Sequence, residues 1–258
     1  MPARLLFFLF ALTLVLAPEG PAAAQGGFLD RLFSGRIGSA QDGVYVAGDK
    51  VRFEMTRSGK TYLLHFDGDP EVFVLAADHT SLGARMLKYD SGETAIRVAG
   101  WGALTLYTDW QPNGLPAVRV GDAAPLAPAP VSLQDVQFVA AEAAERLRHL
   151  YRLKIPFVVD WSVLETNAGL RATASNAMEN AALGIERLVQ NRDARKLVAK
   201  RIALVTLATG RHPALRLQGK TLIVTFNPEW GYSGCASSRA IAREVAAFVA
   251  PQARSAAR

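Results

Sequence analysis

Between Gly43 and Val120 the apolar side chains fall at every second position, in short runs broken by glycine-bearing turns. Val51-Arg52-Phe53-Glu54-Met55 and Leu104-Thr105-Leu106-Tyr107 show the alternation plainly: every second side chain can enter a core while its neighbours face outward. The pattern places strands at Val44–Ala47, Val51–Thr56, Thr61–Phe66, Val72–Ala76, Arg85–Tyr89, Ala95–Val98, Ala103–Thr108 and Ala117–Val120. Between them stand Ala47-Gly48-Asp49, Ser58-Gly59-Lys60, Asp67-Gly68-Asp69-Pro70, Ser91-Gly92-Glu93 and Pro112-Asn113-Gly114, all turn-forming sequences. Connections this short cannot carry crossovers. The strands must therefore be antiparallel neighbours, a meander that forms a sandwich or a partly closed barrel.

The period changes after Val120. Residues 121–131, opening GDAAPLAPAP, read as a stiff, extended linker rich in Pro and Ala. Ser132 then caps a helix with Asp135 three residues on, and Leu133, Val136, Val139, Ala140, Ala143, Leu147, Leu150 and Tyr151 recur at helical spacing. Pro156 ends that helix, and Phe157-Val158-Val159 reads as a short strand. A second helix is expected from about Asn167 to Gln190, with an alanine-rich face that lets a neighbour approach closely. Helical spacing over Arg195–Arg201, a strand at Ile202–Ala208, a hairpin of Ala214–Leu217 with Leu222–Phe226, and a last helix capped by Ser237 or Ser238 complete the chain. The fold class is α+β: an antiparallel β domain at 43–120, then a helical region with a small sheet at 132–258.

The N-terminal end carries an address. Arg4 precedes the apolar run LLFFLFALTLVL, Pro18 and Gly20 break it, and Ala22-Ala23-Ala24 offers small residues before Gln25. This is a secretory signal peptide over residues 1–24, followed by an extension at 25–42, and the apolar run is too short to span a bilayer. The expected location is periplasmic or secreted, with no transmembrane segment once the signal is removed. The single cysteine, Cys235, excludes an intrachain disulfide and any multi-cysteine zinc site.

The 258 residues carry a formal net charge of +6, and it is unevenly placed. Residues 185–258 hold 13 basic and four acidic residues, net +9, whereas the β region is close to neutral. Arg195, Lys196 and Lys200 lie in the densest cluster. Free N–H groups at the start of the last helix, with Ser237, Ser238 and Arg239, form a second candidate anion site. The expected partner is an anionic envelope component: a lipid head group, a glycan or an acidic protein. Nucleic acid is not expected, since export separates the chain from it and no aromatic-interleaved basic motif is present.

Catalytic signatures are sparse. His65, His79, His149 and His212 show no metal-binding spacing, and no phosphate-binding glycine motif occurs, so neither a metal nor a cofactor is expected. Asp67-Gly68-Asp69 starts like a calcium loop, but Pro70 and Val72 stand where further oxygen ligands are needed, which leaves a hairpin turn. Gly231-Tyr232-Ser233-Gly234 falls one residue short of a nucleophile elbow. Cys235 or Ser233 with His212 as base remains an alternative reading, a periplasmic hydrolase or transferase. Trp101, Trp110, Trp161 and Trp230 offer aromatic surface that could bind carbohydrate or a peptide strand, or could close a sheet core.

Three groups of residues carry a resemblance: Asp69-Pro70-Glu71-Val72-Phe73-Val74-Leu75, then Tyr89-Asp90-Ser91-Gly92-Glu93, then Gly100-Trp101-Gly102 with Thr105-Leu106-Tyr107-Thr108. With the closing Ser237-Ser238-Arg239-Ala240-Ile241, the chain resembles an uncharacterised family of exported Gram-negative bacterial proteins, a domain of unknown function. The resemblance implies export, a β-rich N-terminal part and a helical remainder; it carries no catalytic residue, cofactor or partner. The expectation is a non-enzymatic protein binding an envelope component through its basic C-terminal face, its aromatic β domain, or both. Cleavage before Gln25 is the first test: N-terminal sequencing of the exported protein should begin at or near that residue, and an intact Met1 terminus in the cytoplasm overturns the address.

Overall fold

The computed structural model describes residues 40–79 and 84–250, which belong to one compact unit. The expected signal peptide at 1–24 and residues 25–39 of the expected extension lie outside the described residues. Eight strands close into an antiparallel barrel: β1 (Gly43–Ala47), β2 (Val51–Ser58), β3 (Thr61–Phe66), β4 (Val72–His79), β5 (Arg85–Tyr89), β6 (Thr94–Val98), β7 (Leu104–Thr108) and β8 (Gln111–Gly121). Each strand pairs with the next, and β1 closes on β8 through Tyr45↔Arg119, Val46↔Val118 and Ala47↔Ala117. Of the sandwich and the barrel that the alternation allows, the barrel is the outcome, and closure leaves this sheet no free edge.

The alternation fills the inside. Phe53, Met55, Leu64, Leu75, Leu87, Ile96 and Leu106 are fully buried there, while Arg52, next to Phe53, is exposed. An eight-stranded barrel is just wide enough for such side chains to fill it. The rings form a chain across the wall: Tyr45 stacks on Phe53 at 5.3 Å, Phe53 meets Phe66, Phe66 meets Phe73, and Phe73 meets Tyr89 edge-on at 5.2 Å.

Two strands run longer than the sequence pattern suggests. The β4 strand continues to His79, which sequence reasoning leaves in a loop, and β8 begins at Gln111. The hairpin between β7 and β8 therefore turns at Asp109-Trp110, and Pro112-Asn113-Gly114 is a bulge rather than a turn: Leu106 pairs with Leu115, yet Thr108 pairs with Gln111. The extra residues on β8 need a left-handed step, taken by Gly114 at φ 84°. Trp101, in the β6–β7 turn, and Trp110, in the β7–β8 turn, consequently sit at opposite ends of β7. They do not form one aromatic patch.

After β8, residues 122–132 carry no helix or strand, with Pro128 packed beside Gly231. Helix α1 (Leu133–Tyr151) starts at the expected capping box, in which Ser132 and Asp135 each accept from the other's backbone N–H at 3.1 Å. Val136, Ala140, Ala143 and Leu147 form its buried stripe; Leu150, at the stripe's edge in the last turn, is exposed. The short strand β9 (Phe157–Val158) follows, then α2 (Trp161–Thr166), which the sequence pattern misses. Next come α3 (Ala168–Val189), α4 (Arg192–Arg201), β10 (Leu204–Thr209), β11 (Ala214–Gln218), β12 (Thr221–Phe226), a 3₁₀ turn at Pro228–Gly234 and α5 (Ser238–Val249). The small sheet has the order β11-β12-β10-β9, with β12, β10 and β9 parallel and β11 antiparallel to β12.

Helix α3 is the spine of this half, packed against both α1 and α5. The alanines expected to allow close approach do so: Ala174, Ala177, Ala181 and Ala182 are buried along it. At Gly184 a β-carbon would lie 2.6 Å from Ile241 Cγ2 and 2.9 Å from the Ser238 carbonyl oxygen, so α5 crosses with no room for a side chain. Gly184→Val should therefore destabilise the fold by about 1–3 kcal/mol, the usual cost of overpacking a filled core, read as a lower midpoint in urea unfolding. An unchanged midpoint would mean that the helices are free to separate.

Candidate functional site

In an up-and-down barrel alternate hairpins share an end. The turns β1–β2, β3–β4, β5–β6 and β7–β8 therefore meet at one end of this barrel, bringing together Lys50, Asp67, Asp69, Glu71, Asp90, Glu93, Asp109 and Trp110. The start of α5 lies against that end. Ser237 caps the helix in the ordinary way, accepting from Ala240 N at 3.2 Å. Its own N–H donates to Asp90 Oδ2 at 2.8 Å, and its hydroxyl donates to the other Asp90 oxygen. Ser238 repeats the arrangement with Glu71: the N–H donates to Oε1 at 2.7 Å and the hydroxyl to Oε2. Arg239 donates to Glu93 at 2.7 Å and to Asp109 at 2.8 Å, with its guanidinium 4.4 Å over the Tyr89 ring. From α3, Arg187 donates to Ser238 Oγ at 2.7 Å and lies within 3.9 Å of Glu71 and 3.5 Å of Asp109. Arg243 donates to the Ser91 carbonyl.

Glu71 is completely buried in this cluster. Removal from water pushes its carboxyl up to about 7, against the Ser238 hydrogen bonds and the Arg187 charge, which favour the ionised form. Burial likewise pushes the Tyr89 hydroxyl up to about 12.

Beside the clasp the barrel opens into a cavity of about 800 Å³. Its aromatic lining is Phe66, Phe73, Tyr89 and Trp110; its cations are Lys50, Arg52, Arg187 and Arg239; its acids are Asp67, Asp69 and Asp109. Phe73 and Tyr89 are buried inside the wall, whereas Trp110 is 60% exposed on the rim.

The residues that the sequence singles out are divided between two places. Ser237, Ser238 and Arg239 are at the clasp, and the anions they hold are the barrel's own carboxylates. Arg195, Lys196 and Lys200 are on α4: Arg195 donates to Val189 O at 3.0 Å and lies over Tyr151, Lys196 pairs with Asp193 at 3.1 Å, and Lys200 is exposed. The nucleophile reading of Cys235 fails on its surroundings. The thiol is buried, donates to Thr173 O at 3.4 Å, and is pushed up to about 12, so it is not a thiolate at neutral pH. His212 is turned to Trp230, ring to ring at 5.2 Å. His65 is satisfied by the Asp69 carbonyl at 2.8 Å, and the Asp67-Gly68-Asp69 turn is the β3–β4 hairpin. Among the described residues no group of three or more His, Cys, Asp or Glu is placed to hold a metal ion, and no helix is long and apolar enough to cross a membrane.

Sequence reasoning misses Glu71, Asp90, Glu93, Asp109 and Arg187. The acids have one legible signal: each lies in or beside an alternate hairpin of the meander, hence at a common end. The helix that meets them has none.

A closed eight-stranded barrel joined to a helical region with a small mixed sheet, its mouth capped by two arginines, is the class that the fold and site define. Residues 30–245 match the family described as a domain of unknown function, DUF4908, and the chain belongs to it. No curated protein and no solved structure matches the chain.

The clasp should leave a pH signature. An acid held at about 7 in the folded state and at its ordinary 4.5 in the unfolded chain binds its proton more tightly when folded. Its contribution to stability is complete below pH 4.5 and is lost as pH rises to 7. Glu71→Gln, which keeps the shape of the neutral acid, should lack that loss. In urea unfolding between pH 4.5 and 8, the wild type should fall relative to the variant across this window; parallel curves would mean that Glu71 does not titrate there.

Proposed function

We propose that this protein is exported and non-enzymatic, and that it binds an anionic component of the cell envelope at the barrel mouth. One observation carries the reading: in a single cavity of about 800 Å³, Arg187 and Arg239 from the basic last quarter meet the aromatic residues Phe66, Phe73, Tyr89 and Trp110 of the barrel. The basic last quarter and the aromatic β domain, which sequence analysis offers singly or together, both supply residues to this cavity. The volume falls within the range typical of small-ligand pockets. Exposed Lys200 and its neighbours on α4 add positive field, which raises the rate of encounter with an anion more than it holds one.

The test uses rim residues that take no part in the clasp. Lys50 and Arg52 are exposed and line the cavity. The purified protein should be retained on immobilised glycans extracted from the envelope, and Lys50→Glu with Arg52→Glu should weaken retention at least tenfold without moving the melting temperature. The triple variant Arg195→Glu, Lys196→Glu, Lys200→Glu should slow association and flatten its salt dependence while leaving the dissociation rate nearly unchanged. Retention untouched by the rim pair would place the ligand elsewhere and overturn the reading.

A further inference from the structure

The barrel's other end is built differently from its mouth. The β2–β3, β4–β5 and β6–β7 turns meet there, beside the last residues of β8. Trp101 stands at the apex of the β6–β7 hairpin, 84% exposed. The turn is tight: Ala99 N–H donates to Ala103 O and Gly102 N–H to Ala99 O, both at 2.9 Å. Gly102 takes the left-handed step at φ 93°, and a β-carbon on it would meet nothing within 4 Å. The same open space lies beside Gly59 in the β2–β3 turn and Gly121 at the end of β8. Leu104 pairs with Ala117, so the residues after Ala117 run on beside the Trp101 hairpin. They include Val118 and Val120, 66% and 54% exposed. Three large apolar side chains left in water are therefore gathered at one end.

Cations surround them. Arg57 and Lys60 are exposed at the β2–β3 hairpin, Arg97 is exposed on β6, and half-buried Arg85 begins β5 opposite Val98. None of the four is in an ion pair among the described residues; the Arg57 side chain donates to the Gly59 carbonyl at 3.1 Å. The acids nearby are already engaged. Asp42 accepts from the Arg57 N–H at 2.9 Å, Asp78 pairs with Lys88 at 2.8 Å, and Asp122 pairs with Arg119. At the mouth Arg187 and Arg239 are answered by carboxylates; here the positive charge is left over.

The shape selects the partner. One ring and two valines on protruding turns fall far short of the roughly 800 Å² a side that a stable protein interface buries. A bilayer interface accepts such a shape: tryptophan settles at head-group level, and the lysines and arginines around it meet anionic lipid.

We propose that the barrel end opposite the mouth docks on an anionic phospholipid surface, with Trp101 and the two valines entering the interface and Arg57, Lys60, Arg85 and Arg97 facing the phosphates. This contact is independent of the binding reading above, and it leaves the mouth turned away from the bilayer.

The probes are vesicles of phosphatidylglycerol and phosphatidylcholine in equal parts, and of phosphatidylcholine alone, followed by co-sedimentation and tryptophan emission. The purified protein should bind the anionic vesicles at least tenfold more tightly than the neutral ones, with a blue shift in emission. Trp101→Phe should remove the shift while keeping most of the binding. Trp101→Ala should weaken binding about tenfold at an unchanged melting temperature, since the ring packs on little. Each cation near an anionic surface contributes about fivefold to partitioning. Lys60→Glu with Arg97→Glu should therefore weaken binding at least tenfold, again without moving the melting temperature. Lys50→Glu with Arg52→Glu, the pair that tests the mouth, should leave vesicle binding unchanged, so the two sites fail separately. Vesicle binding that Trp101→Ala leaves intact, or equal binding to neutral vesicles, overturns the proposal. So does a failure to bind vesicles; self-association lost in Trp101→Ala would then make a second copy of the chain the occupant.

Discussion

Everything at the barrel mouth depends on carboxylates of the barrel filling the N-terminus of α5. A helix leaves its first N–H groups without intrahelical partners, and they carry the positive end of its dipole. Most helices answer with their own capping side chains, and Ser237 does so here. The remaining donors are answered from far away in sequence, by Asp90 and Glu71, 147 and 167 residues distant. These bonds tie two separately cored halves together, for the barrel and the helical region each have their own hydrophobic cluster.

The clasp is polar and partly dry, and that decides its character. Burying a carboxylate is costly, and Glu71 registers the cost as a carboxyl held near 7 despite two hydrogen bonds and a nearby arginine. A greasy contact of the same area could hold the halves together but could not fix their register. Here each serine presents an N–H and a hydroxyl to the two oxygens of one carboxylate, and Arg239 reaches two acids at once. Displacing α5 by one residue would leave several of these groups buried and unpaired, each at about 1–3 kcal/mol. The same bonds hold Arg187 and Arg239 over the Phe73 and Tyr89 rings, at 6.0 Å and 4.4 Å.

The elements were readable from the sequence wherever one short-range rule acts alone. Alternation gives all eight barrel strands, and the Ser132–Asp135 spacing gives the start of α1 to the residue. The misjudged hairpin at Pro112-Asn113-Gly114 shows where such rules compete: turn-forming residues fit a bulge equally well, and only pairing with β7 decides between them. The candidate site was half legible. Ser237, Ser238 and Arg239 stand out as a helix start with unused donors, but whether the anion comes from outside or from the same chain depends on tertiary contact. Three of the four stretches that carry the family resemblance, around Glu71, around Asp90 and Glu93, and at Ser237–Ile241, meet at the clasp.

That convergence bears on where a ligand can act. An anion arriving from solvent cannot take the α5 N-terminus without expelling Glu71 and Asp90, which the folded hairpins hold against it at high effective concentration. The basic residues of α4 are exposed or locally engaged and present no enclosed surface. The mouth differs from both. Its arginines line the cavity and are fixed in place by bonds to Glu93, Asp109 and Ser238. The clasp thus spends the helix N-terminus on architecture and, in doing so, sets two carboxylate-paired guanidinium groups beside an aromatic opening.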